Sequence, residues 1–158
     1  MAERDLLGIA TTVQISGHPI HPLLVPLPIG FLVGTFLCDL AYMATGNGFW
    51  AEAAFWSLVA AIVSAAVAAV VGFIDFFGNA RIRALNDAWL HMIGNVAAVV
   101  LALVSLLLRW GNPEGAVLPW GLVISALIVL IILFTGWMGG ELAYRHRVGM
   151  LPDERQRQ

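Results

Sequence analysis

The sequence predicts an all-α integral membrane protein: an up-down four-helix bundle with both termini on the cytoplasmic side. Three observations carry this. Four apolar stretches each come near the roughly 20 residues that cross a hydrocarbon core. The polar breaks between them are short, which forces neighbouring spans to run antiparallel. The arginines gather at one end. The composition agrees, with 60% hydrophobic and only 11% charged residues and a mean hydropathy of +0.87. Soluble domains carry about 25% charged residues. Residues 1–158 read as a single transmembrane domain with a short polar tail over 147–158.

The spans are read at 23–44, 53–77, 88–108 and 118–140. Gly46-Asn47-Gly48 makes the first turn, Gly78 to Arg83 the second break and Trp110 to Gly115 the third. The first span opens oddly. Pro22, Pro26 and Pro28 cannot all occupy a first helical turn, where alone proline is at home. Either regular helix begins near Leu27 or the entrance is kinked. Such an entrance survives at membrane depth only where protein covers it or water reaches it. Gly30 with Gly34, and Gly136 with Gly140, form small-xxx-small pairs. Ala61, Ala65 and Ala69 line a small stripe on the second span, beside Ser64, Ala68 and Gly72. In lipid, helices associate by close approach at such residues. Room for a flat cofactor is the alternative reading of the glycines.

Orientation follows from charge. Arg4, Arg81, Arg83, Arg145, Arg147, Arg155 and Arg157 share one side, against Arg109 alone on the other, and there is no lysine. The positive-inside rule places that richer side, and both termini, in the cytoplasm. Trp50, Trp110 and Trp120 then fall at the far interface and Trp89 at the near one. The start, Met1 to Leu7, lacks a basic region leading into an apolar core, so no removable signal peptide is expected.

The same topology gathers chemistry at the cytoplasmic end. His18 and His21 precede span one, His91 opens span three and His146 follows span four. Asp75 lies near the end of span two and Glu141 near the end of span four. Ionisable groups at membrane depth face the bundle interior and mark function by default. Imidazole is the commonest metal ligand. Four imidazoles with two carboxylates suit a Zn, Cu or Fe ion. Two imidazoles from different helices suit a haem iron, with Asp75 fixing a tautomer. Simpler roles compete: His146 as interfacial surface beside Arg145 and Arg147, Asp75 as a salt-bridge partner of Arg81 or Arg83. Asp39 is expected to pair with Arg109 or to face a polar seam.

Other chemistries find no support. Cys38 is the only cysteine, which excludes an intrachain disulfide and a Cys-based cluster. Gly46-Asn47-Gly48 lacks the lysine of a phosphate loop. The arginines are accounted for by topology, so no nucleic acid is expected. The partners implied by the residues are the lipid bilayer and a second copy of the chain.

Gly17 to Val25, Pro28-Ile29-Gly30, Gly72 to Asp75, Leu90-His91 and Gly136 to Gly149 together resemble the DUF2231 family of small four-helix bacterial membrane proteins. The resemblance covers nearly the whole chain. It implies a bacterial inner-membrane protein, occurring alone or joined to redox modules such as Rieske-type domains. That association points toward electron transfer with a redox partner protein or quinone, and toward cytochrome b-like haem bundles. Many relatives carry a further histidine in the first span where Pro26 stands here. The expectation is a haem b or transition-metal redox module held by some of His18, His21, His91 and His146, with Asp75 and Glu141 as further candidate ligands. The alternatives are a structural or accessory subunit and a small oligomeric transporter. No reaction is assigned.

Overall fold

The computed structural model describes residues 8–150. Four of its helical segments are long and apolar enough to cross a membrane: Ile20–Thr45, Gly48–Gly78, Asn86–Arg109 and Pro113–Arg145. Arg4, Arg155, Arg157 and the end of the polar tail lie outside the described residues.

A two-residue hairpin precedes the first span. Strands β1 (Gln14–Ile15) and β2 (His18–Pro19) pair antiparallel around Ser16 and Gly17. Both turn residues have positive φ, 49° and 78°, and Gly17 takes that conformation at no steric cost. The first span begins at Ile20, earlier than Leu27, and is interrupted only at Val25, whose φ and ψ stay helical. Helix α1 (Ile20–Leu24) carries His21 and joins α2 (Pro26–Thr45) through Val25. Pro26 opens α2, where a missing N–H costs nothing. Gly46, at φ 64°, closes it.

Helix α3 (Gly48–Gly78) is capped by Asn47, whose side chain accepts the Phe49 N–H. The short α4 (Ala80–Arg83) leads to α5 (Asn86–Arg109). The fourth span begins with α6 (Pro113–Ala116), kinks at Leu118, continues as α7 (Leu122–Gly140) and ends in a wide turn over Glu141–Arg145. Caps and flanking turns carry each helix past its most apolar stretch, so the helices outrun the spans read from hydropathy.

Helix α2 packs on α3 and α7, and α5 packs on α3 and α7. The first and third spans therefore stand diagonally across the bundle. Leu32, Leu58, Ala61, Ala98, Ala102, Ile128 and Ile132 fill the middle. Ile9, Phe76, Ile82 and Ala88 fill the end that holds the histidines, called here the near end.

An N-terminal strap closes that end. Arg81 donates to Gly8 O, Asn79 to Ala10 O, and Val13 N–H to Asp75. The strap thus runs antiparallel to the end of α3. Its Ile9 also exchanges main-chain bonds with Arg147 and Gly149.

The glycines behave differently from expectation. Gly34 does mark a close approach, to Ser57, whose hydroxyl donates to Phe31 O at 2.8 Å. A Cβ on Gly30, Gly136 or Gly140 would meet nothing within 4 Å. Spacing sets which residues share a helix face, and only the bundle's geometry decides whether that face meets a neighbour.

Candidate functional site

Two of the four histidines come together. His21 and His91, from diagonally opposite spans, place their ring centroids 6.3 Å apart with planes at 85°. His21 sits on the short helix before the Val25 break. His91 lies one turn into α5. Both rings are half-buried.

Each ring is fixed by a helix carbonyl. His21 Nδ1–H donates to Ala68 O of α3 at 3.0 Å. His91 Nδ1–H donates to Thr135 O of α7 at 2.8 Å. A carbonyl oxygen only accepts, so Nδ1 carries the hydrogen and the neutral ring keeps its lone pair on Nε2. This is the orientation by which proteins prepare imidazoles for a metal.

Glycine makes room for both rings. A Cβ on Gly72 would stand 2.8 Å from His21 Cε1. One on Gly139 would stand 3.2 Å from His91 Cε1. Behind His91 a polar loop closes on itself. Thr135 Oγ1 donates to Asn95 Oδ1 at 3.2 Å, and Asn95 Nδ2 donates to His91 O at 2.7 Å. Thr135 is 1% exposed.

The other expected site residues go elsewhere. His18 is exposed on the hairpin, where its Nδ1–H donates to Ser16 O at 3.1 Å. His146 Nε2 meets Asp87 Oδ2 at 2.8 Å. Glu141 pairs with Arg145 one turn on, at 3.3 Å. Asp75 accepts the Val13 N–H on Oδ1 at 2.8 Å. It forms no pair with Arg81 or Arg83 among the described residues. Arg83 instead reaches the carbonyls of Phe76 and Phe77. Among the described residues no three His, Cys, Asp or Glu side chains are grouped to hold a metal ion. A four-imidazole cluster is therefore not formed, because His18 bonds back to its own hairpin and His146 is held by Asp87 of α5.

Sequence reasoning passed over Asn95, Thr135, Gly139 and Asp87. One signal was available for the first. Asn95 lies four residues after His91, on the same helix face. Thr135 carried none, because its contact to His91 is made by a backbone carbonyl and its hydroxyl meets Asn95 only across the bundle.

The far end holds a second polar group. Asp39 and Arg109 are fully buried and joined by two hydrogen bonds, with Ser125 donating to Asp39 Oδ2 at 2.7 Å. Arg109 Nε also donates to Ser105 Oγ. The expected pairing of Asp39 with Arg109 is realised, and every charge in it is answered.

No curated protein and no solved structure matches the chain. A family model does, across residues 17–152, and it is described as a predicted membrane protein. That stretch contains all four spans and both paired histidines. The chain is a multi-pass membrane protein and belongs to the DUF2231 family.

Proposed function

We propose that the protein is a membrane-embedded haem-binding electron-transfer module, in which His21 and His91 would hold the haem. The observation that carries this reading is their ring pair. Metal–imidazole bonds run to about 2.0–2.1 Å, so two rings sharing one metal end to end stand roughly 6 Å apart between centroids. The ring centroids stand 6.3 Å apart, with their planes at 85°. Ligand count favours haem over a bare ion. A structural zinc takes about four protein ligands, whereas a porphyrin brings its own four nitrogens and would ask the protein for only one or two more. Two imidazoles are what this end brings together.

The chain's own residues would set the site's character. Ala68 O and Thr135 O hold the rings in the tautomer that presents Nε2. The Asn95–Thr135 loop keeps the carbonyl behind His91 in place. Gly72 and Gly139 leave the rings their space. A bound haem would supply one-electron chemistry, exchanged with a redox partner protein or a membrane quinone.

The arginine asymmetry supports a cytoplasmic near end, and the bacterial inner membrane is what the family resemblance implies. Arg109, the lone arginine of the far side, is consumed by Asp39 inside the bundle. No free arginine is left among the described residues of that side to oppose the positive-inside signal.

The test is a visible spectrum with elemental analysis of protein purified in detergent. The expected result is a Soret band that sharpens on reduction and disappears in His21→Ala and in His91→Ala. Protein that shows no such band after haem is supplied overturns the proposal. A stoichiometric metal without porphyrin absorbance replaces haem by an ion. A blank on both counts leaves a structural or accessory subunit.

A further inference from the structure

Among the described residues, two buried side-chain oxygens have no hydrogen-bond partner: Thr11 Oγ1 and Asp75 Oδ2. Both lie where the strap crosses the end of α3. Asp75 is 6% exposed. Val13, whose N–H occupies Oδ1, is two residues beyond Thr11. Native proteins seldom leave such oxygens bare, and an orphan usually marks a water or an ion.

Charge selects between them. An ionised carboxylate taken out of water without a counter-charge is costly. Three basic groups on and beside α3, Arg83, Arg81 and His21, are engaged with other oxygens among the described residues. Arg83 bonds to the carbonyls of Phe76 and Phe77. Arg81 bonds to Gly8 O. His21, lying over Gly72 on the same face of α3, turns its N–H to Ala68 O. Asp75 also stands in the last turn of a 31-residue helix, whose carboxyl end carries negative partial charge and favours a cation.

We propose that Asp75 and Thr11 are ligands of a binding site for one small, oxygen-preferring monovalent cation, held between the strap and α3. Oxygen donors suit a hard cation, and a single carboxylate beside a neutral hydroxyl matches one positive charge. Main-chain carbonyls and water complete its shell. The bound ion fastens the strap over the near end of the bundle. The site shares no ligand with the histidine pair and does not depend on it.

The probe is sodium. The full chain in detergent is heated in sodium chloride against choline chloride at constant ionic strength, and unfolding is followed by tryptophan fluorescence. A ligand of the folded state alone raises the melting temperature saturably. The wild-type protein should melt several degrees higher in sodium. Asp75→Asn should lose that rise, and Thr11→Val should need about tenfold more sodium for half of it. Equal melting of the wild type in the two salts overturns the proposal, as does a full sodium response in Asp75→Asn. Should Asp75→Asn fail to fold, Thr11→Val decides alone. A half-saturating sodium concentration unchanged from wild type then counts against the site.

Discussion

Asp39 and Arg109, 70 residues apart, meet inside the bundle through two parallel hydrogen bonds of 2.8 and 2.7 Å. Neither side chain has any exposed surface. Ser125 and Ser105 complete the cluster, so spans one, three and four are tied at one point. A buried pair answers its own desolvation only while both partners remain. Removing one strands the other. Asp39→Ala or Arg109→Leu should each destabilise the protein by about 3–5 kcal/mol, and the double replacement Asp39→Leu with Arg109→Leu should recover most of that loss. Chemical unfolding in detergent measures all three.

The glycine contacts make a graded prediction. Gly72→Ala places a methyl 2.8 Å from the His21 ring, and Gly139→Ala places one 3.2 Å from His91. Gly72→Ala should displace its ring and lower haem content severalfold. Gly139→Ala asks for a shift of only a few tenths of an ångström and should have the smaller effect. Gly136→Ala and Gly140→Ala meet nothing within 4 Å and should change stability by no more than about 0.5 kcal/mol. Haem content per protein and melting temperature, read on the same preparations, check both halves.

The outer histidines should be dispensable for the cofactor. His146 and Asp87 keep about a quarter of their side chains exposed, 26% and 29%. Such a pair contributes about 0–1 kcal/mol. His146→Ala and His18→Ala should therefore retain the haem spectrum, whereas His21→Ala and His91→Ala should lose it. Loss of the spectrum in all four variants would restore the four-histidine arrangement.

Orientation has its own measurement. In a Cys38→Ser background, Asn112→Cys should react with a membrane-impermeant maleimide added to intact cells. Ala84→Cys should react only after the cells are opened. The reverse pattern would place the histidine end outside.

Much of this protein was legible as sequence. Length and apolarity of the four stretches determined the bundle, because lipid tolerates only segments that satisfy their own backbone. Short breaks determined its alternating direction. That direction brought all four histidines to one end, and the Asp39–Arg109 pairing was legible because an unanswered charge in the membrane needs a partner at its own depth. Tertiary structure alone decided which histidines meet. His21 and His91 face each other because their spans stand diagonally in the bundle, while His146 found Asp87 and His18 stayed on the hairpin. It also decided that Gly72 and Gly139 make room for rings while Gly136 and Gly140 face open space. Spacing along a helix fixes which side chains share a face, and the packing of four helices together fixes what each face meets.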